Sequence, residues 1–396
     1  MKVLISGGGI GGLAAAAALL KLGVDVEVYE QAKELKEVGA GIQISPNGNR
    51  VLDALGVFEQ LNAISCDPER KEFRLWNTGR RWPMLSLGRS IVEAYGYPYL
   101  TVFRPDLHMA LAERVRALKH DALHLDHGVA GLRQDAESVT LVLRSGQEVV
   151  GDALLGADGV RSVVRGALWP DSDPVFSGMV AWRGLIPMES LPQAMRASVG
   201  TTWIGPGGHA VSYPLQRARY MNFVGTIEGK TWNHPGSSAD GSLEECLSDF
   251  AGWHEDLQTL IRRSPRLQKW ALSCREPIPA WTQGRVTLCG DAAHATLPFL
   301  AQGAVHSLED GLVLARCLQS VPASGVPDAL LRYERARIAR TSQMVRGAAA
   351  NTARFHSQEL AHEDSAERYL KQEWSAEPIR DRYDWLYRYN AANAPI

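Results

Sequence analysis

Two side chains with acid–base chemistry lie close together in the segment His209-Ala210-Val211-Ser212-Tyr213. The segment has the pattern of a β-strand, and an offset of four residues places His209 and Tyr213 on the same face of a strand. An imidazole has a pKa of about 6.5, so it can take a proton near neutral pH. A phenolic hydroxyl beside it can orient the base or a ligand. The same two residues can equally be packing residues with satisfied polar tips.

A second chemical signal is the glycine-rich turn Gly7-Gly8-Gly9-Ile10-Gly11-Gly12, which has the spacing GxGxxG. It follows the apolar run at residues 2–5 and precedes a helical pattern and a strand that ends at Glu30. In such a βαβ unit the glycines permit a tight turn, close approach of a pyrophosphate and close helix packing. Glu30 can accept hydrogen bonds from ribose hydroxyls. The pattern predicts a bound dinucleotide, and it does not separate FAD from NAD.

A third signal lies near residue 290, where the apolar run at residues 286–289 ends in Gly290-Asp291. Such a turn after a buried strand can present the Asp291 carboxylate to a ribityl hydroxyl. The segment Gln302-Gly303-Ala304 opens a helical pattern from Ala304 to Leu318, and its N-terminal N–H groups can stabilise negative charge on a ligand. An aspartate cap before a core helix is the alternative interpretation.

Composition limits the class of protein that these residues belong to. The chain has 396 residues, which suggests two or three domains of roughly 150 residues each. Its 45% hydrophobic and 22% charged residues exclude a disordered, collagen-like or coiled-coil chain. With 42 Lys+Arg and 44 Asp+Glu the net charge is −2, which does not favour nucleic acid or anionic lipid as partners.

Cysteine spacing and hydropathy exclude further classes. The five cysteines show no CxxC or Cys/His ligand spacing, so we expect neither a disulfide framework nor a metal site. No stretch approaches the ~20 apolar residues of a membrane helix. We therefore expect a cytoplasmic protein that binds small molecules and not membranes, as a monomer or a homodimer.

Three separated stretches resemble the single-component (group A) flavoprotein aromatic hydroxylases. Residues 38–47 resemble the family's segment beside the flavin, and residues 154–162 with Arg165 resemble its DG motif. Residues 286–294, with Pro298 and 302–304, resemble its second FAD motif. The resemblance implies an α/β fold, with a Rossmann-like FAD-binding domain of the p-hydroxybenzoate hydroxylase type. It also implies an inserted antiparallel β-sheet substrate domain and C-terminal helices.

Turn-rich, tryptophan-bearing strand patterns between the second and third motifs indicate where that sheet lies. We assign residues 1–70, 96–172 and 276–350 to the FAD-binding domain. Residues 71–95 and 173–275 are assigned to the substrate domain, and residues 351–396 to a C-terminal helical segment. The aromatic tail at 383–389 is expected to pack against its own domain or a second subunit.

The resemblance also implies residue roles. The expected FAD contacts are Gly7, Gly9, Ile10, Gly11, Gly12, Glu30, Gln31, Gly41, Ile42, Gln43, Arg104, Val129, Asp158, Asp291, Pro298, Gly303 and Ala304. His209 and Tyr213 correspond to residues that meet the phenol in 3-hydroxybenzoate 6-hydroxylases, and Pro298 and Phe299 are expected to line the substrate pocket. An apolar wall at 297–300 can keep water from the reacting centre.

The implied reaction is aromatic hydroxylation. The family binds FAD permanently, reduces it with NADH or NADPH that visits transiently, and transfers oxygen from O₂ through a flavin C4a-hydroperoxide. Because that oxygen is electrophilic, the substrate must be electron-rich, which a deprotonated phenol is.

The substrate expected from the resemblance is a small phenolic acid. Gln43 replaces the histidine of 6-hydroxynicotinate hydroxylases, and Pro298 replaces the glutamine common in 3-hydroxybenzoate 6-hydroxylases. A salicylate-type hydroxybenzoate is therefore preferred by elimination, with those two activities as alternatives. A different flavoprotein oxidase or epoxidase, or a non-catalytic dinucleotide-binding protein, are the competing classes.

Overall fold

The computed structural model describes residues 1–35, 40–170 and 173–396. Val38 and Gly39, at the start of the segment predicted to run beside the flavin, lie outside the described residues. So do residues 171 and 172, at the end of one predicted domain segment.

Strands and helices alternate along the first half of the chain, and helices dominate its end. The strands are β1 (Lys2–Ser6), β2 (Asp25–Tyr29), β3 (Gly41–Ile44), β4 (Arg70–Leu75), β5 (Arg81–Ser86), β6 (Leu100–Phe103), β7 (Leu123–His124), β8 (Val129–Gln134), β9 (Val139–Leu143), β10 (Glu148–Gly151), β11 (Ala153–Gly156), β12 (Val175–Pro187), β13 (Val199–Gly205), β14 (Gly208–Leu215), β15 (Tyr220–Ile227), β16 (Ser238–Gly241), β17 (Leu267–Cys274) and β18 (Val286–Leu288).

The helices are α1 (Ile10–Lys21), α2 (Pro46–Leu55), α3 (Phe58–Ile64), α4 (Arg89–Tyr95), α5 (Arg104–Leu118), α6 (Val163–Leu168), α7 (Leu243–Asp249), α8 (Glu255–Arg262), α9 (Asp291–His294), α10 (Gly303–Leu318), α11 (Val326–Phe355), α12 (Glu363–Glu373) and α13 (Ala376–Tyr387). Within the described ranges, no helix is long and apolar enough to cross a membrane.

A parallel sheet forms the first layer, with the strand order β18-β11-β1-β2-β7. Strands β1, β11 and β18 are short, mostly apolar and buried, as expected for strands covered on both faces, whereas polar and apolar residues alternate along β2. The alanine- and leucine-rich helix α1 follows β1 and is buried along most of its length. The carboxyl ends of β1, β11 and β18 lie side by side, so the three glycine-bearing turns that follow them meet at one edge of the sheet.

An eight-stranded sheet forms the second part, in the order β16-β17-β12-β15-β14-β13-β4-β5. The sequence predicts an antiparallel sheet here, and every neighbouring pair is antiparallel except β4 and β13, which are parallel. The exception arises because β4 and β5 enter this sheet from an earlier part of the chain, not from a hairpin next to β13. Side chains on one face of this sheet point toward the edge where the glycine-bearing turns meet.

The C-terminal helices connect the two parts. The 30-residue helix α11 has Tyr333 bonded to the end of β18, and its last residue, Phe355, packs against Phe73 of β4. Tyr383 and Tyr387 of α13 are buried, and Tyr387 packs edge-on against Tyr95 and Tyr99. The aromatic tail therefore packs against an earlier part of the same chain, at Tyr95 and Tyr99.

Candidate active site

The turn after β1 has the geometry that a dinucleotide needs. Gly7 has a φ of +104°, and a Cβ atom on it would lie 2.5 Å from the Ala157 carbonyl oxygen. A Cβ atom on Gly12 would lie 2.0 Å from the Gly7 carbonyl oxygen. Gly9 is different, because nothing lies within 4 Å of where its Cβ would be. Packing of the protein itself therefore requires Gly7 and Gly12, whereas the space beside Gly9 is open to a ligand.

The acidic residue after β2 is held in place by backbone groups. Glu30 accepts hydrogen bonds from the N–H groups of Gly8 (2.7 Å) and Ala32 (2.8 Å) through its two carboxylate oxygens. Each oxygen has a further lone pair with which it can accept from a hydroxyl group. The neighbouring Gln31 is exposed and accepts a hydrogen bond from Arg144 at 3.3 Å.

The DG motif is tied to the second FAD motif. The Asp158 carboxylate accepts from the N–H groups of Val163 (2.8 Å) and Val164 (3.2 Å) at the start of α6, and from the Ser162 hydroxyl. Arg165 donates from α6 to the carbonyl oxygens of residues 292 and 293, at 2.9 and 3.1 Å. These bonds give Asp158 an observed role as a helix cap, and a direct contact with FAD stays a prediction.

One continuous cavity of about 750 Å³ runs from the glycine turns to the face of the eight-stranded sheet. It collects most of the predicted site residues, namely Gly9, Ile10, Gly11, Gly41, Ile42, Gln43, Arg104, His209, Tyr213, Asp291, Pro298, Phe299, Gly303 and Ala304. The other predicted residues lie outside its described lining, namely Gly7, Gly12, Glu30, Gln31, Val129 and Asp158. Val129 is buried in the hydrophobic core.

The cavity is electropositive. Its described lining contains four basic side chains, Lys71, Arg104, Arg161 and Arg183, against a single acidic one, Asp291. The N-terminus of the 16-residue helix α10 adds partial positive charge at Gly303. A phosphate-bearing cofactor and an anionic second ligand both fit this field.

At the sheet end of the cavity, His209 and Tyr213 project from the same face of β14, with Val211 between them. The sequence predicts this shared face. His209 is buried, and its ring meets Phe299 edge-on at a centroid distance of 4.7 Å and Phe355 at 5.1 Å. Burial, reinforced by the nearby His356, holds the pKa of His209 well below its usual value. The imidazole is therefore neutral at pH 7 and can accept a proton.

Tyr213 belongs to a hydrogen-bonded row of side chains. Lys71 donates to the Tyr99 hydroxyl at 2.7 Å, and that hydroxyl donates to Gln43 Oε1 at 2.9 Å. Gln43 is also a hydrogen-bond partner of Tyr213. The Gln43 contact acts to lower the pKa of Tyr213, as an amide N–H that donates to the phenolic oxygen does, and this arrangement leaves the Tyr213 proton for a ligand. Burial raises the pKa of Tyr213, so this hydroxyl stays protonated and acts as a donor.

Two basic residues of the cavity were not singled out from the sequence. Arg183 on β12 stacks its guanidinium 4.5 Å from the centroid of Trp270, and its buried Nε atom has no hydrogen-bond partner among the described residues. Burial lowers the pKa of Arg183 to about 10 and that of Lys71 to about 7. The alternation of side chains along β12 predicts that Arg183 lies on one face of the sheet. It does not predict that this face lines the cavity.

The comparisons with known proteins agree with this geometry. The family described as FAD binding domain matches residues 1–348. The 3-amino-4-hydroxybenzoate 2-monooxygenase PtnB3 of Streptomyces platensis is 35% identical over 393 residues, 99% of this chain and 96% of that protein. The 3-hydroxybenzoate 6-hydroxylase of Polaromonas naphthalenivorans is 35% identical over 397 residues, 99% of this chain and 97% of that protein.

A solved structure has the same fold over nearly its whole length. It is Klebsiella pneumoniae HpxO complexed with FAD and uric acid, with a TM-score of 0.84 and 27% identity. The match covers 97% of this chain and 96% of that chain.

The fold has glycine turns suited to a dinucleotide at the edge of a parallel sheet, and one cavity continues from them to the face of a larger sheet. The chain belongs to the FAD binding domain family and is an FAD-dependent aromatic monooxygenase that uses NAD(P)H. The α/β fold, the resemblance to flavoprotein aromatic hydroxylases and FAD as cofactor are thereby confirmed.

Proposed function

We propose that the enzyme hydroxylates a phenolic acid whose carboxylate binds Arg183 and whose hydroxyl meets His209. The observation that carries this proposal is the state of Arg183. It is a partly buried cation with an unpartnered Nε atom, and no ion pair joins it to a carboxylate among the described residues. A desolvated guanidinium without a counter-ion is costly, and a carboxylate is the ligand that its planar fork matches.

The register of the sheet indicates how far apart the two ends of the ligand bind. Arg183 pairs with Val224 of β15, which pairs with Val211 of β14, so Arg183 and Val211 stand in one cross-strand row. Two strand spacings separate them by about 10 Å, and His209 lies two residues further along β14, about 7 Å away. Long side chains reach inward from both positions.

This separation favours a ring whose hydroxyl and carboxylate are not adjacent. The two relatives described above are named for 3-hydroxybenzoate and 3-amino-4-hydroxybenzoate, which share that feature. We therefore propose a 3- or 4-hydroxybenzoate frame. The salicylate-type substrate preferred from the sequence, in which the two groups are neighbours, is the competing outcome of the test below.

The residues have distinct roles in this proposal. FAD, held by the glycine turns, Arg104, Asp291 and the start of α10, supplies the activated oxygen when it is bound. His209 takes the phenolic proton, and Tyr213 donates a hydrogen bond to the phenolic oxygen. Phe299 and Phe355 exclude water from this end of the cavity.

The domain division predicted from the sequence is part of the proposal. The strands within 71–95 and 173–275 form most of the eight-stranded sheet, which supports a substrate domain there. Phe355 and Tyr383 line the same cavity, so we extend the substrate site to the C-terminal segment at 351–396. A monomer or homodimer in the cytoplasm stays a prediction.

Replacement of Arg183 by methionine should separate carboxylate recognition from catalysis. We expect the KM for 3-hydroxybenzoate to rise about 10- to 100-fold, the cost of losing one charge-assisted contact. The KM for the neutral analogue 3-hydroxybenzyl alcohol should change little. Steady-state NADH consumption and product chromatography over 3-hydroxybenzoate, 4-hydroxybenzoate, salicylate and the alcohol measure both effects.

Arg89, which is exposed on α4, supplies the matched control, because Arg89→Met should leave all four substrates unchanged. An equal rise in KM for 3-hydroxybenzoate and for the alcohol in Arg183→Met would refute the carboxylate contact. Preferential turnover of salicylate by the wild-type enzyme would refute the separated hydroxyl and carboxylate.

A further inference from the structure

His209 is the innermost member of a row of three titratable side chains that ends at the protein surface. Its Nδ1 lies 2.6 Å from Nε2 of His356, and Nδ1 of His356 lies 2.5 Å from a carboxylate oxygen of Glu228. The His356 side chain is 2% exposed and that of Glu228 is 42% exposed. The three residues come from β14, from the end of α11 and from the segment just after β15.

Backbone bonds hold the ends of this row together. Gly207, in the turn before β14, donates its N–H to the His356 carbonyl oxygen at 3.3 Å. The N–H of Glu228 donates to the Gly207 carbonyl oxygen at 3.0 Å. Backbone bonds to Gly207 thus tie both His356 and Glu228 to the turn between β13 and β14, next to His209.

The carboxylate determines where every proton in the row lies. Burial lowers the pKa of His356, so its ring is neutral at pH 7; with Glu228 Oε1 as the acceptor, Nδ1 of His356 carries the proton and Nε2 accepts. Nδ1 of His209 is then the donor, and Nε2 of His209 carries the free lone pair. Because Nδ1 is committed to His356, Nε2 is the nitrogen that meets a ligand in the cavity. This is the tautomer that a base needs.

We propose that His356 and Glu228 form a proton relay that carries the phenolic proton from His209 to solvent. The phenol O–H bond breaks and the proton binds Nε2 of His209. The proton on Nδ1 of His209 passes to Nε2 of His356, and the proton on Nδ1 of His356 passes to the Glu228 carboxylate, which releases it to water. One proton leaves the substrate, one reaches solvent, and both imidazoles end neutral.

A relay is needed because His209 is buried. His209 lies among aromatic rings, where an imidazolium would be poorly solvated, so it cannot store the proton that it removes. Among the described residues, the basic groups two positions from Glu228 and from His356 in the chain are already paired. Lys230 binds Asp249 at 2.6 Å, and Arg354 lies 3.6 Å from Glu373. Tyr213, four residues along the same face, stays protonated.

This proposal depends on the proposed function, since it takes His209 as the base, and its test uses the FAD-loaded enzyme. Wild type is mixed in weak buffer with 3-hydroxybenzoate, and phenolate absorbance and proton release to an indicator dye are followed together. The variants are Glu228→Gln and His356→Gln. Glu228→Gln keeps an oxygen that accepts from His356 but takes up no proton.

We expect both variants to slow proton release and hydroxylation about 10- to 100-fold, less than loss of the base itself. The defect should shrink as pH rises, because solvent then removes the proton, while FAD content and melting temperature stay as in wild type. Glu137, exposed in the turn before β9, is the matched control, and Glu137→Gln should behave as wild type.

Wild-type proton release in Glu228→Gln at every pH would overturn the relay. So would a pH-independent loss with a lowered melting temperature, which would show a structural role. The proposed function fails separately, if His209→Asn hydroxylates at the wild-type rate or if the enzyme binds none of 3-hydroxybenzoate, 4-hydroxybenzoate and salicylate. In the first of these cases the relay loses its base and is overturned as well, whereas in the second it loses only the substrate that the proposed function names.

Discussion

Replacement of His209 by asparagine should slow hydroxylation by about 10²- to 10⁴-fold, the range that loss of a general base produces. Asparagine is polar and small enough for the site, and its amide can still donate toward His356, so packing changes little. It cannot take a proton from a phenol. FAD content should be unchanged, because His209 lies at the sheet end of the cavity, away from the glycine turns.

The pH dependence of this effect follows from burial. Because the pKa of His209 is depressed, the wild-type base is deprotonated from about pH 6.5 upward, and an acid limb of the rate should appear only below that value. In His209→Asn the rate should instead rise steadily toward the pKa of the phenol itself. The measurement is single-turnover hydroxylation of 3-hydroxybenzoate between pH 6 and 9, with product quantified by chromatography.

Tyr213→Phe is the companion variant. This substitution removes a hydrogen-bond donor and keeps the ring. The hydroxylation rate should therefore fall less than in His209→Asn, and the size of the fall should not depend on pH across the same range. A His209→Asn enzyme with the wild-type rate across that range would remove His209 from the mechanism. Loss of flavin or a lowered melting temperature in this variant would indicate the packing role that the sequence also allows.

Local patterns were enough to predict the cofactor half of the molecule. The turn between β1 and α1 is made by consecutive residues, so spacing alone indicates which glycine faces which neighbour. The helix predicted to open within residues 302–304 begins at Gly303, and the strand predicted before Gly290 ends at Leu288. In each case the geometry is determined by a few residues that are adjacent in the chain.

The substrate half depends on contacts that spacing cannot specify. His209 and His356 are 147 positions apart, and only the path of α11 brings them together. Arg183 and Lys71 enter the cavity through the pairing of strands distant in sequence. Alternation on β14 could predict that His209 and Tyr213 share a face. It could not predict that His209 has a partner that sets its tautomer.

The glycine turn supports the second large prediction, in which alanine substitutions at Gly12 and Gly9, three positions apart, have different consequences. Gly12→Ala should destabilise the protein with or without FAD, because the new methyl group would lie 2.0 Å from a backbone oxygen. We expect the free energy of unfolding to fall by about 3 kcal/mol or more. Thermal and urea unfolding of the apoprotein measure this loss.

Gly9→Ala should leave the apoprotein intact and abolish tight FAD binding. Gly9 has φ −75° and ψ −177°, which alanine adopts freely, and no protein atom lies within 4 Å of the added carbon. The methyl group would instead occupy the space through which the backbone approaches a pyrophosphate.

Gly166→Ala, within α6 and also without a close neighbour, is the control and should stabilise the protein by about 0.5–1 kcal/mol. A yellow Gly9→Ala protein with one FAD per chain would show that the pyrophosphate does not lie against Gly9. Equal destabilisation of the Gly9→Ala and Gly12→Ala apoproteins would show that both glycines are required by the fold and not, in the case of Gly9, by the cofactor.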